Sequence, residues 1–443
     1  MNYEYLFKRA QELNITDIEV YTEVKEGLDI SLFNGAVDKN VMYKTTGIAL
    51  RGLYNGQMGY VSSENLADDK IDYLLERLID NAKVLTLDEK SFIYEGSDSY
   101  PEVEERALTF TEVPTWEKIK LLQELETKIK EKDIRIASVA NCMYRETKVT
   151  IEIRNSKGLY LTKTDGYCFI YASAVAKDES DVKSGSDYRI VKDLSEINLD
   201  RLAESIVKRA VGLLNATPVE SKKYPIILEN EVFADILGAF QSMFSGESVL
   251  KKLTLLKDKI GEQVANTNIT IVDDPLCKEA HIQHSFDDEG VSCSRKEIIS
   301  KGVFKTFLHN LKTANALNTQ STGNGFKASL NSPVGVRYTN LYVEKGYSSL
   351  EDMIKSVQEG LLITSVQGLH SGVNPISGDF SLQSSGYLIQ NGVITKPVNL
   401  IVIAGNFLEM LKNVEEVGND LVFTYQHIGC PSIKISALQV SGE

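Results

Sequence analysis

The stretch ILENEVFADILGAFQSMFSG, residues 227–246, decides how the second half of this chain is read. Val232, Phe233, Ile236, Leu237, Phe240, Met243 and Phe244 recur at three- and four-residue spacing, which predicts one apolar stripe on an amphipathic helix. Glu229 and Glu231 stand at its N-terminal end, where the helix dipole favours anions. Ser245-Gly246 ends it. The stretch contains no histidine, and none occurs anywhere before His281.

Downstream, SVLKKLTLLKDKI (248–260) reads as a second helix, and the remainder is mostly strand. VSCSRKEIISKGVFKTFLHN is a predicted hairpin turning at Lys301-Gly302. SGYLIQNGVITKPVNLIVIAG is a second, turning at Asn391-Gly392, the strongest short hairpin signal in the chain. Between them SSLEDMIKSVQEG is helical, with Ser348 and Glu351 at capping-box spacing and Gly360 as its stop.

Upstream, NATPVESKKYP (215–225) is polar, bounded by proline and follows a helix end, which marks a linker. The first half has a weak internal repeat. A helix (NYEYLFKRAQELN), a run of strands ending in MGYVSS and a helix (ADDKIDYLLERLIDNAKVL) are followed by the acidic connector YEGSDSYPEVEE. The same order then recurs: TWEKIKLLQELETKIKEK, strands through GLYLTKTDGYCFIYASAVAKD, and INLDRLAESIVKRAVGLL. The fold class expected is therefore α+β with two domains. Residues 1–215 form a duplicated helix–strand-meander–helix domain. Residues 222–443 form a mostly antiparallel β domain with flanking helices.

Composition narrows the function. The 443 residues are 42% hydrophobic and 25% charged, ordinary for globular cores. No apolar run approaches the ~18–20 residues of a membrane span, and the N-terminus lacks the pattern of a secretory signal. Five cysteines without a close pair argue against a disulfide framework or zinc knuckle and for a reducing, cytoplasmic setting. A net charge of −14 repels phosphate backbones, so nucleic acid is not an expected partner.

Five blocks, in order, carry a family resemblance: FDDEGV (286–291), STGNG (321–325), GLLITSVQGLHSGVNPISGDFSLQSSGYLIQNGVITKPV (360–398), IAGNFLEML (403–411) and VGND (417–420). The chain resembles the TldD/PmbA family, formerly described as modulators of DNA gyrase and regarded as peptidases. The TldD-like branch carries HExxxH on a helix early in the second domain and a cysteine in a loop near the C-terminus. Two imidazoles and a thiolate suit zinc, with the glutamate as base. The resemblance places those positions at about Leu237, Gly238 and Ser242, none a metal ligand. The loop near the C-terminus is short, and Cys430 lies directly before Pro431. The chain thus resembles the PmbA branch, also called TldE. The resemblance implies cytoplasmic proteolysis and peptide maturation, dimeric assembly, and zinc held by a TldD-like partner, with no metal or catalytic residue in this chain.

Other candidates remain. His281 and His284, with Cys277, have HxxH spacing; a solvated loop is the preferred reading, because residues three apart do not converge on one side of a strand. Asp287, Asp288 and Glu289 are three carboxylates that suit a hard cation, but no EF-hand pattern follows and a solvated turn is expected. STGNG lacks the GKS or GKT ending of a phosphate loop. His370, Gly372, Asn374, Gly378 and Asp379, in GLHSGVNPISGDF, either line a peptide-binding groove or form a tight loop that needs glycine for positive φ. Three functions follow from these readings. The chain is a peptide-binding subunit beside a zinc-bearing TldD-like chain, or a homodimeric hydrolase with its own site, or a peptide-binding module without catalysis. Dimerisation is expected through the second domain, whose apolar NLIVIAG segment exceeds what one modest face needs.

Overall fold

A computed structural model describes residues 1–84, 92–104, 106–179 and 181–443. The predicted end of the second helix at Leu85 and the last connector residue, Glu105, lie outside these.

Among the described residues the first half is one six-stranded antiparallel sheet with four α-helices. Helix α1 (Tyr3–Glu12) leads into β1 (Ile15–Phe33), β2 (Ala36–Tyr54), β3 (Gln57–Ser63) and α2 (Ile71–Val84). Then α3 (Thr115–Lys132), β4 (Ile136–Asn155), β5 (Tyr160–Asp178), β6 (Asp181–Val191) and α4 (Leu199–Val211) repeat that order. The sheet order is β3-β2-β1-β4-β5-β6. The two meanders meet at their first strands, from Glu19 opposite Asn155 to Leu32 opposite Cys142. The weak repeat in the sequence is thus a structural duplication.

Strand alternation decides which side of this sheet faces what. Ile18, Val20, Ile48 and Leu50 pack with Leu74, Leu75 and Leu78 of α2. In the second repeat Tyr144, Ile170 and Ala172 pack with Leu122 and Leu125 of α3 and Leu202 and Ile206 of α4. The intervening residues of β1 and β2, among them Glu19, Tyr21, Ala49 and Arg51, face the other way, toward the second half.

In the second half β7 (Lys222–Leu228) lies between Glu359–Gln367, parallel to it, and the antiparallel Ile433–Ser441. Asp379–Gln390 and Val393–Asn406 continue the sheet. Val393–Asn406 also pairs with Ile433–Ser441, Ile403 opposite Val440, so five strands close into a barrel. The hairpin turn is where the sequence places it, with Asn391 at φ 52° and Gly392 at φ 75°, the left-handed pair a two-residue turn requires. Helix α5 (Asn230–Phe240) follows β7 directly. Its Phe240 stacks on Phe407 with ring centres 4.5 Å apart, inside a core shared with the strands. No helix among the described residues is long and apolar enough to cross a membrane.

Three sequence-based expectations change. The helix predicted over 248–260 is only α6 (Gly246–Leu250). Lys252 takes φ 58°, and the Thr254 hydroxyl donates to the Met243 carbonyl at 2.9 Å, so the following apolar residues alternate instead of winding. The helix near 350 is Leu350–Lys355, capped by Ser349 rather than Ser348, since Ser349 accepts the Asp352 amide at 3.1 Å; Gly360 lies in a strand. The predicted linker overlaps β7, which takes residues 222–225 including Pro225.

Candidate functional site at the seam between the halves

The carboxylates read as a solvated turn are buried. Asp287, Asp288 and Glu289 are 0%, 5% and 4% exposed. Each accepts backbone amides, which the sequence does not show. Asp287 accepts from Gly325 at 2.8 Å, Val291 at 2.9 Å and Glu289 at 3.0 Å. Asp288 accepts the Lys327 amide at 2.9 Å, with the Lys163 ammonium of β5 at 3.5 Å. Glu289 accepts the Leu311 amide at 2.8 Å and the Arg51 guanidinium at 3.1 Å. The FDDEGV block therefore ties STGNG, the hairpin after it and the first-half sheet together. Gly290 completes it at φ 80°, where a Cβ would lie 2.6 Å from Leu159.

Arg51 and Glu19 are direct cross-strand neighbours on β2 and β1. Arg51 grips Glu19 with two bonds, at 2.6 and 3.0 Å, and spends a further N–H on Glu289. The planar fork of arginine suits this double grip. Burial pushes the Glu19 carboxyl up, against the pull of the Arg51 charge. Burial pushes the Lys327 ammonium down, and the Arg51 charge adds to that. Lys327 donates to the Ser332 carbonyl at 2.7 Å and lies 5.5 Å from the Tyr21 ring centre.

Above this network is a cavity of about 930 Å³ between the sheet and the second half. Its floor is Glu19, Tyr21, Arg51, Glu289 and Lys327. Its walls include Met58, Phe92, Leu250, Leu330 and Val334. That volume lies at the upper end of ligand pockets, and apolar walls over a few fixed polar groups are their usual lining.

The loop candidates stand elsewhere. His370 is exposed, and none of His370, Gly372, Asn374, Gly378 and Asp379 lines the cavity. The Asn374 side chain accepts the Ile376 amide at 3.0 Å and the Ser377 amide at 3.2 Å. Asp379 accepts from the Ser377 hydroxyl at 2.8 Å and from Asn406 at 3.0 Å. Gly372 and Gly378 fit a tight loop: a Cβ on Gly372 would lie 2.2 Å from the Ser381 carbonyl, and Gly378 has φ 82°.

The histidines read as a solvated loop are largely enclosed. His281 Nε2 is 3.2 Å from the Phe423 carbonyl. His284 packs edge-on to Phe326, and its Nδ1 and that of His427 are buried without a partner among the described residues. Burial pushes all three imidazoles down, with the charges of Lys163 and Lys192 adding to this at His284; His427 falls to about 4. The unfolded His427 imidazole takes its proton near 6.5 and the folded one only near 4, so between these values the unfolded chain binds more protons. Stability is therefore present above pH 6.5 and is lost as pH falls toward 4. The wild type is expected to lose more stability over that window than His427→Asn, which tolerates the φ of 61° at this site. Urea unfolding of both proteins at several pH values checks this; parallel pH profiles would refute it.

The helix positions that the resemblance aligns with HExxxH offer no ligand. Leu237 is in the core. A Cβ on Gly238 would lie 2.9 Å from Ile428 and 3.1 Å from the Gln426 amide oxygen, so neighbouring side chains fill the place of a longer residue. Ser242 uses its carbonyl to accept the Ser248 hydroxyl at 2.7 Å. Cys430 is buried in the apolar core, and burial pushes its thiol well up. Among the described residues no three His, Cys, Asp or Glu side chains stand together as a metal ion needs. These residues do not fit a family-type zinc.

Comparison with known proteins places this architecture. Residues 18–82, 108–214 and 221–442 match the PmbA/TldA metallopeptidase domain 1, central domain and C-terminal domain. The chain belongs to the PmbA/TldD family. Within it, the metalloprotease MJ0996 of Methanocaldococcus jannaschii is 27% identical over 94% of this chain and 95% of its own. The metalloprotease PmbA of Escherichia coli O157:H7 is 26% identical over 96% of this chain and 92% of its own. The crystal structure of TM0727 from Thermotoga maritima, described as a modulator of a DNA gyrase, superposes with a TM-score of 0.92 at 31% identity over 99% of both chains. For a PmbA/TldD-family chain the buried seam carboxylates are the residues that sequence reasoning missed. FDDEGV was visible as a block, but its burial was not. For Glu19 and Arg51 the signal is a charge interrupting the apolar strand runs IEV and LRG, which gains meaning only once hairpin register makes them neighbours.

Proposed function

We propose that this chain is the metal-free, substrate-holding subunit of a two-subunit peptidase of the PmbA/TldD type. It works in the cytoplasm on peptides or unfolded polypeptides beside a TldD-like chain that holds the zinc. The observation that carries the reading is α5. It keeps the buried apolar face of the family helix, yet it and the turn after it have leucine, glycine and serine where the two histidine ligands and the glutamate base of a zinc site would stand. The seam cavity supports substrate holding, because it combines apolar walls with fixed donors and acceptors. Cleavage chemistry is assigned to the partner, and no step of it to residues of this chain.

The test is metal analysis and peptide cleavage with the untagged chain, alone and with the TldD-like chain of the same organism. The expected result is no stoichiometric zinc and no cleavage for the single chain, and chelator-sensitive cleavage for the pair. One zinc per chain, lost together with activity in His370→Ala, would overturn the assignment. Cleavage by the single chain that survives a chelator would instead indicate a homodimeric hydrolase. Peptide binding without cleavage in both samples would indicate a pure binding module.

A further inference from the structure

The segment after α6 has a chemistry unlike the rest of the surface. Residues 251–260, KKLTLLKDKI, carry four lysines against one aspartate, in a chain whose net charge is −14. The backbone is irregular but anchored. The Leu253 amide donates to the Ser248 carbonyl at 2.7 Å, the Thr254 hydroxyl is fixed on Met243, and Leu256 is fully buried. With Thr254 and Leu256 turned inward, Leu253 and Leu255 are held outward, 41% and 50% exposed, and Ile260 is 60% exposed. Among the described residues Lys252 and Lys257 have no ion-pair partner, so their charges face outward uncompensated. Apolar side chains held in water on an ordered frame, rimmed by unpaired charge, mark an interaction surface.

We infer that residues 251–260 dock a partner protein that presents apolar side chains set among carboxylates. The inference rests on the preceding reading and assigns this surface to the TldD-like subunit. A second copy of the chain does not suit it, because a two-fold contact through this patch sets lysine against lysine. A membrane surface does not suit it either, since the segment lacks the helical apolar face of an interfacial anchor. Leu250 and Lys251 line the seam cavity, so a chain docked here stands at the cavity edge. That position lets a peptide reach from the cavity to the partner.

The experiment titrates the purified TldD-like chain of the same organism into the full chain by calorimetry at two salt concentrations. The variants are Leu255→Asp, Lys252→Glu with Lys257→Glu, and, as a control outside this segment, Tyr347→Ser, whose side chain is fully exposed. Leu255→Asp is expected to weaken the Kd by about 30-fold or more, the effect of losing a hot-spot residue. The double charge reversal is expected to weaken binding and to reverse its salt dependence. Tyr347→Ser is expected to bind as wild type, and thermal unfolding of all three to match it. Wild-type affinity, within about two-fold, for both patch variants would overturn the inference and leave the partnership standing. No binding by the wild type would overturn both. Lysine-dependent binding to phosphatidylserine vesicles, with partner binding unchanged in the variants, would reassign the patch to a membrane and overturn the inference.

Discussion

Arg51→Met is expected to cost the folded chain about 3–5 kcal/mol, the usual effect of breaking a buried ion pair from one side. The guanidinium is the shared partner of Glu19 and Glu289, 2% and 4% exposed, and methionine leaves both carboxylates buried without it. The loss comes from the stranded charges more than from the missing bonds, so it is separable. Arg51→Met combined with Glu19→Gln and Glu289→Gln is expected to recover part of the stability, because neutral amides bury at lower cost. Urea unfolding midpoints and slopes for the three proteins, wild type included, measure this. A single variant as stable as wild type would show that the seam opens to water and that the network is not buried in solution.

Asp287→Ala is expected to be comparably damaging by a different route. Its carboxylate is the acceptor for three amides, and alanine leaves those buried N–H groups of Gly325, Glu289 and Val291 unsatisfied. At about 1–3 kcal/mol for each orphaned group the total is about 3–9 kcal/mol. Asp287→Asn keeps one acceptor oxygen and places an NH₂ among donors, so an intermediate loss is expected. The two routes differ in where the damage spreads. Asp287 holds the FDDEGV turn against the strand Gly325–Lys327, so its removal is expected to raise amide hydrogen exchange through both segments. Removal of Arg51 is expected to raise exchange on β1 and β2 as well. Exchange confined to the substituted residue would refute this account of the seam.

Three of the expectations that failed share a cause. Single-sequence reading treats a charged or polar run as solvated and an apolar run as periodic. FDDEGV is polar, yet each carboxylate meets amides from residues up to 39 positions away, as Asp288 does with Lys327. SVLKKLTLLKDKI has enough apolar residues for a helix, but the Thr254 hydroxyl and the left-handed Lys252 fix an alternating path. His284 is spaced like a surface HxxH, yet Phe326 and Lys163 close over it. Each depends on a partner that no local window contains.

What the sequence by itself determined is the part carried by periodicity and turn chemistry: the apolar stripe of α5, the duplicated helix–meander–helix order, the hairpin at Asn391-Gly392, and a helix without histidine. Those signals are local, because helical and strand periods and left-handed turn residues act within a few positions. Tertiary structure alone decided the barrel closure, the buried Glu19–Arg51–Glu289 network and the cavity above it. The cross-strand register and the packing of the two halves bring residues hundreds of positions apart within hydrogen-bond distance, as with Arg51 and Glu289. Burial then turns charges that would be inconspicuous in water into the strongest constraints on the seam.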